Sequence, residues 1–97
     1  MAVTVHVVAR FVAKPGKEQA LKTVLTALIP PTRRELGCYH FDLLENPLDP
    51  HDFCFVEKWE NQKKVEQHAE SEHVKRTLSQ VVDLVETPPD IRRYLQV

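Results

Sequence analysis

The sequence predicts an α+β domain in which a four-stranded antiparallel sheet carries all of its helices on one face. Three observations predict this class. Four segments alternate between apolar and polar residues, as strands do; amphipathic helical stretches separate them; and their order along the 97 residues is strand, helix, strand, strand, helix pair, strand. Right-handed crossovers then place both helical layers on the same face of the sheet. This is the ferredoxin-like arrangement, and we expect residues 1–97 to form a single domain of this kind.

The first half of the chain contains two predicted strands and a helix. Residues 3–12 alternate, with one fully apolar side and one mixed side. Residues 17–29 carry an apolar stripe at helical spacing. Pro30 and Pro31 must disrupt this helix, because proline donates no amide hydrogen and its ring clashes with the preceding turn. We expect a kink or a break, a fresh short turn, and then a second strand over residues 38–45.

The second half contains the third strand, two helices and the last strand. Residues 53–59 alternate and follow a loop rich in turn-forming residues, which predicts the third strand. Asn61 is a suitable helix N-cap, because its side-chain oxygen can accept hydrogen bonds from the free amides of the first turn, and the helix is expected to run to residue 70. Ser71 is the predicted N-cap of another helix. Residues 91–97 alternate again as the last strand.

The composition argues against several classes of partner. Thirteen basic and fourteen acidic residues give a net charge of −1 without a run of one sign, so neither nucleic acid nor an anionic membrane is expected. The chain starts without a basic region followed by a long apolar stretch, so we expect no signal peptide, no transmembrane span and a cytoplasmic location. Cys38 and Cys54 lack the Cys-x-x-Cys spacing of a redox or zinc site, and two reduced, half-buried thiols are expected.

The face of the sheet without helices is expected to be too apolar to face water and too polar to form a monomer core. Its expected lining is His6, Val8, Val12, Cys38, His40, Leu44, Cys54 and Val56. A chain this short buries only about 60–65% of its unfolded surface, so it gains stability from a partner. We therefore expect a homodimer in which two such faces pair, giving a dimeric α/β barrel.

The stretch from residue 53 to residue 73 carries the residues that suggest chemistry. Glu57 and Trp59 fall on the same apolar side of the third strand. After the predicted cap, His68 shares one helical face with Val65 and Ala69. A carboxylate, an indole and an imidazole are therefore placed around one strand-to-helix corner.

Each of these residues also has a structural interpretation. An imidazole on an apolar helix face is often a satisfied core side chain, and Trp59 equally fits the core. Glu57 could pair with an arginine across the sheet or the dimer, since a lone buried carboxylate is costly; the candidates are Arg10, Arg92 and Arg93. His73 lies five residues after His68, off the same helical face, and could be a solvated residue of the next helix. That spacing is also poor for one shared ion, so no metal site is predicted.

Four collinear pieces of the chain resemble the antibiotic biosynthesis monooxygenase family, which includes quinol monooxygenases. They are ARFVAKPGK at residues 9–17, PTRRELGC at 31–38, FVEKW at 55–59 and HAESEH at 68–73. The resemblance implies the dimeric ferredoxin-like barrel and a pocket in each subunit between the sheet and the helices. A haem-degrading branch of the same superfamily is a poorer match, because it is expected to carry an asparagine where Ala9 stands.

The resemblance also implies a reaction. The best-known members oxygenate electron-rich aromatics with dioxygen and need no metal, flavin or haem, so no cofactor is expected. A deprotonated phenol or enol can give an electron to dioxygen directly, and the protein then supplies a base and an apolar cavity. Under the resemblance His68 is the candidate base, Glu57 orients it or holds a substrate hydroxyl, and Trp59 stacks on the ring or donates a hydrogen bond. The further substrate-binding candidates are Phe11, Tyr39, Phe41 and His73.

Two other functions remain open at this point. The same pocket and base suit an isomerase or lyase that moves a proton beside a carbonyl group of a small compound. A dimer that binds a ligand without catalysis is the third possibility.

Overall fold

The structure, a computed structural model, describes residues 3–97, so the first two residues of the predicted domain lie outside the described part of the chain. The predicted fold class is confirmed, with a four-stranded antiparallel sheet in the ferredoxin-like order of elements. No helix within residues 3–97 is long and apolar enough to cross a membrane. The elements are β1 (Val5–Val12), α1 (Glu18–Ala27), α2 (Ile29–Arg33), β2 (Cys38–Glu45), β3 (Asp52–Trp59), α3 (Gln62–Ala69), α4 (Glu72–Val81) and β4 (Asp90–Tyr94).

The strands lie in the order β2-β3-β1-β4, and each neighbouring pair is antiparallel. The two central strands, β1 and β3, pair along their whole length from Val5 opposite Trp59 to Val12 opposite Asp52. One side of β1 is buried at every second residue, as the alternation in the sequence predicts. This side faces the helices and forms the core together with the aromatic residues of β2 and β3.

The opposite face of the sheet has no helix over it in residues 3–97. It carries both polar and apolar residues, and these are half-buried or exposed. His6 and Val8 are half-buried, whereas Leu44 is 51% exposed and Val56 is 39% exposed. Both cysteines are free, as predicted.

The two prolines divide the first helical region as predicted. The helix α1 ends at Ala27, and the short helix α2 begins at Ile29 with Pro30 and Pro31 in its first turn. Proline is tolerated there because the first amides of a helix have no intrahelical acceptor. The new direction carries the chain across β2, where Arg33 Nε donates a hydrogen bond to the carbonyl oxygen of Phe41 at 3.1 Å.

The predicted sides of β2 need a correction at the start of the strand. Cys38 is opposite Trp59 and His40 is opposite Lys58, so Tyr39 is an extra residue in a β-bulge. The bulge reverses the alternation, so Tyr39 is half-exposed instead of sharing the buried side with Phe41. For the same reason Cys38, expected on the open face, packs against the core. Its burial raises the pKa of the Cys38 thiol to about 11.

The last strand is shorter than predicted and ends at Tyr94. Tyr94 pairs with His6, so in this register residues 96 and 97 would lie opposite residues that precede β1, which begins at Val5. They have no strand partner in the described chain, and their alternation alone could not make them part of a strand.

Candidate active site

Helix caps position two histidines over the sheet. Asn61 caps α3 as predicted, its Oδ1 accepting from the amide of Lys64 at 2.9 Å. Ser71 caps α4 as predicted, and its hydroxyl also donates to the carbonyl oxygen of His68 at 2.7 Å. The sharp turn between the two helices brings His68, near the end of α3, close to His73, in the first turn of α4.

Both histidines bind the same carboxylate oxygen. Glu35 Oε2 lies 2.7 Å from His68 Nδ1 and 2.7 Å from His73 Nε2. An ionised carboxylate only accepts hydrogen bonds, so both of these ring nitrogens carry a hydrogen. In a neutral His68 ring the other nitrogen, Nε2, is then unprotonated. Burial lowers the pKa of His68, and the Glu35 carboxylate opposes this effect in part, so the ring is held as a neutral base.

A second carboxyl group is buried below this cluster. Glu57 is 5% exposed and Trp59 is fully buried, and Trp59 Nε1 donates to Glu57 Oε1 at 2.8 Å. Burial raises the pKa of Glu57 to about 7, although the hydrogen bond from Trp59 opposes the shift. The nearby charge of Glu35 raises it further. Near neutral pH, Glu57 therefore exists in both protonation states, and it can donate or accept a hydrogen bond.

These polar groups adjoin an apolar cavity of about 120 Å³ between the sheet and the helices. Its walls include the rings of Phe11, Phe41 and Phe55, and the last two stack with centroids 4.5 Å apart. Glu57 and His68 both line it. A flat apolar molecule in this cavity would therefore meet one basic and one acidic group.

The structure brings most of the predicted site residues together. Phe11, Phe41, Glu57 and His68 line the cavity. Trp59 lies behind them, where its ring packs against His68 with centroids 4.6 Å apart.

Two of the predicted substrate-binding residues lie elsewhere. Tyr39 is outside the cavity, because the bulge turns it away. His73 reaches the site only through its hydrogen bond to Glu35.

The role of Glu35 was not found from the sequence. Glu35 follows two arginines in the link between α2 and β2, and this charged sequence is typical of solvent-exposed residues. Its partners are 33 and 38 residues away along the chain, so no local pattern reveals them. The one indication was that Glu35 lies inside a piece of sequence that resembles the family.

The arginine partners considered for Glu57 are not its partners in this chain. Arg10 Nε lies 2.8 Å from Asp52 Oδ1, and Arg92 Nε lies 2.9 Å from Asp90 Oδ1, both on the open face of the sheet. The hydrogen-bond donor to the Glu57 carboxyl is the Trp59 indole instead.

The carboxylate–histidine cluster also has the composition of a metal site. Glu35, His68 and His73 each offer one ligand atom, and these atoms lie within 4.8 Å of one another. The five-residue spacing of His68 and His73 does not keep them apart, because the turn between α3 and α4 brings the two imidazoles together and Glu35, in the link after α2, supplies a third group. Two histidines and one carboxylate suit divalent transition metals. The hydrogen bonds to Glu35 satisfy the same atoms without an ion, so the absence of a metal stays a prediction.

Comparison with known proteins agrees with this fold. Residues 4–80 match the family model described as antibiotic biosynthesis monooxygenase. The protein Rv0793 from Mycobacterium tuberculosis is 34% identical over 88 residues, which cover 91% of this chain and 86% of that protein. The crystal structure of PA3566 from Pseudomonas aeruginosa has a TM-score of 0.93 at 30% identity, covering 100% of this chain and 97% of that chain. SO0527 from Shewanella oneidensis has a TM-score of 0.93 at 32% identity, covering 99% and 93%.

Proposed function

This chain belongs to the antibiotic biosynthesis monooxygenase family, and on that premise we propose that it oxidises a small, electron-rich, quinol-like aromatic with dioxygen and without a cofactor. The observation that carries the proposal is the arrangement of His68 and Glu57 on one apolar cavity walled by aromatic rings. Such a cavity favours a flat aromatic ring through burial of its apolar surface. The two polar groups provide the proton transfers that the reaction needs.

The proposed reaction starts when His68 Nε2 takes a proton from a hydroxyl group of the substrate. The anion transfers an electron to dioxygen, and the two radicals combine to form a carbon–oxygen bond to a peroxide. The proton returns from His68 to the peroxide. The O–O bond and the C–H bond at the attacked carbon then break, which releases water and leaves a carbonyl oxygen on the ring. In total, a hydroquinone and dioxygen give a hydroxyquinone and water, so atoms and electrons balance without an added reductant.

Each neighbouring side chain has a role in this scheme. Glu35 holds His68 in the tautomer whose Nε2 is free, and the positive charge that forms on the ring lies beside the Glu35 carboxylate. His73 fixes Glu35 from the other side. Glu57, near its pKa at neutral pH, holds the second hydroxyl or the developing oxyanion, and Trp59 keeps the Glu57 carboxyl in place.

A homodimer is part of the proposal. The uncovered face of the sheet, with Leu44 and Val56 among its exposed apolar residues, supports pairing with a second copy. Pairing would also add buried surface to a chain of only 97 residues. A sedimentation or light-scattering mass near that of one chain at micromolar concentration would contradict this part of the proposal.

The test is oxygen uptake by protein stripped with chelator, measured against simple hydroquinones with an autoxidation blank. We expect uptake above the blank, one atom of ¹⁸O₂ in the product, and a loss of about 10²-fold or more in His68→Ala, as for other general bases. The matched control is His51→Ala, which removes a loop imidazole that lies near Glu18 and does not line the cavity. Oxygen uptake that is equal in His68→Ala and the parent would refute the role of His68, and no uptake with any substrate would refute the monooxygenase.

One observation favours the second candidate function, an isomerase or lyase. A base and a carboxyl group that is half-protonated near pH 7 line the same cavity, which suits moving a proton beside a carbonyl. The same variants separate the two functions. A His68-dependent exchange of substrate hydrogen with deuterated water, without consumption of oxygen, is expected only of the isomerase or lyase.

A further inference from the structure

A row of side chains crosses the sheet beneath the helices and ends at Arg93. Phe41 is opposite Glu57, and Val7 is opposite Glu57 on one side and opposite Arg93 on the other. Residues opposite each other in antiparallel strands point to the same face, so Arg93 shares the helix side of the sheet with Glu57. Neighbouring strands are about 4.8 Å apart, which puts the backbones of Glu57 and Arg93 about 10 Å apart. Both residues line the cavity.

Arg93 differs from its neighbour in sequence because it has no carboxylate partner within residues 3–97. Arg92, on the open face, is paired with Asp90. Arg93 is exposed at the mouth of the cavity, and it is the one lysine or arginine among the described residues that line it. Glu57, two strands away in the same row, is the carboxyl group that lines the cavity with Arg93. Its partner is Trp59, and its raised pKa leaves it partly uncharged at neutral pH.

The size of the cavity matches one aromatic ring. Its volume is about 120 Å³. An apolar protein cavity of roughly 150 Å³ accepts benzene, so the enclosed part of this site is of the size of a single ring. A substituent on that ring would have to extend toward the open side, where β4 supplies Ile91 and Arg93.

We infer that the substrate is a single-ring hydroquinone with a carboxylate substituent, which Arg93 binds at the cavity mouth while the ring reaches His68 and Glu57. The planar guanidinium matches a carboxylate with two parallel hydrogen bonds. The carboxylate takes no part in the oxygen chemistry, so the balance given above is unchanged. This inference rests on the proposed function, whose substrate class it narrows.

The experiment compares 2,5-dihydroxyphenylacetate with its methyl ester, which keeps the hydroquinone and removes the charge. We expect kcat/KM for the acid to exceed that for the ester by about tenfold in the parent protein, as for a charge-assisted pair at a partly open site. In Arg93→Met the preference should vanish because only the acid loses rate. Arg93→Lys should keep part of the preference for the acid. Arg92→Met, the same change on the opposite face of the sheet, should keep the whole preference.

Two results would overturn the inference. The first is an acid preference that persists in Arg93→Met; if the monomer–dimer equilibrium shifts at the same time, Arg93 is an interface residue. The second is an equal fall of kcat/KM for acid and ester.

A failure of the oxygenase proposal is recognised separately by calorimetric binding of 3-hydroxyphenylacetate and its methyl ester. Tighter binding of the acid that disappears in Arg93→Met supports the anion site even without turnover. Equal binding of acid and ester by the parent protein refutes it.

Discussion

Glu57→Gln tests how the ionisation of the buried carboxyl group affects folding stability, because glutamine has nearly the same shape and does not ionise. Burial raises the pKa of Glu57 from an ordinary value of 4.5 to about 7. Below pH 4.5 the group is protonated in both the folded and the unfolded chain, so pH has no effect through it. Between pH 4.5 and 7 the unfolded chain releases the proton and the folded chain retains it. Folding stability therefore falls with rising pH.

The magnitude follows from the difference between the two pKa values. Each pH unit in this interval is worth about 1.4 kcal/mol, so the parent protein should lose about 3 kcal/mol through Glu57 between pH 4.5 and 7, and no more above that. A glutamine at this position does not titrate, and its amide oxygen can still accept the hydrogen bond from Trp59. The free energy of unfolding of Glu57→Gln, relative to the parent, should thus rise by about 3 kcal/mol over the same interval.

Urea unfolding followed by fluorescence is a suitable assay, since Trp59 is the single tryptophan and adjoins Glu57. Protein concentration must be equal in all samples, because association would add to stability. The control is Glu66→Gln, the same change on the exposed side of α3, which measures the effect of replacing a carboxyl group that is not buried. A stability of Glu57→Gln relative to the parent that stays within about 1 kcal/mol from pH 4.5 to 8 would refute the reasoning that burial dominates at this position.

The remaining predictions concern the turns that frame the site. Asn61→Ala should lower the free energy of unfolding by about 1 kcal/mol, because the amide of Lys64 loses its capping oxygen; Asn61→Asp, which keeps that oxygen, should lose little in the same urea titration. Gly37→Ala should cost about 1–3 kcal/mol, because Gly37 has φ of +89° and a Cβ there would lie 2.6 Å from Lys64 Cγ. Gly16→Ala is the control, because Gly16 also has a positive φ, of +80°, but nothing lies within 4 Å of an added Cβ. It should therefore show the cost of backbone strain without a clash. An equal loss of unfolding free energy in both variants would contradict the predicted clash at Gly37.

The sequence predicts best what depends on neighbours along the chain. Alternation and helical spacing locate every strand and helix to within a few residues, and both predicted helix caps, Asn61 and Ser71, are present. The alternation of the third strand also identifies Glu57 as unusual, because a carboxylate on an apolar strand side requires a special environment. All of these features depend on residues two to four positions apart, so they can be predicted from a single sequence.

The sequence predicts poorly what depends on a partner from elsewhere in the chain. A β-bulge is defined by the strand opposite, so nothing near Tyr39 shows that this residue is the unpaired one. Glu35 has the sequence surroundings of a solvated residue, and its hydrogen bonds reach across the fold to α3 and α4. Arg93 could be assigned to either face until pairing with Val7 fixed its side.

The interruptions of regular structure are what bring the site together. Pro30 and Pro31 end α1 and start α2, whose far end delivers Glu35 beside the sheet. Gly37, two residues after Glu35, has a positive φ that lets the chain change direction before β2 begins. Ser71 ends α3 and begins α4 within one turn, which sets two imidazoles against one carboxylate oxygen. The carboxylate comes from one of these turns and the two imidazoles flank another, so their meeting depends on the geometry of these turns more than on the length of any helix or strand.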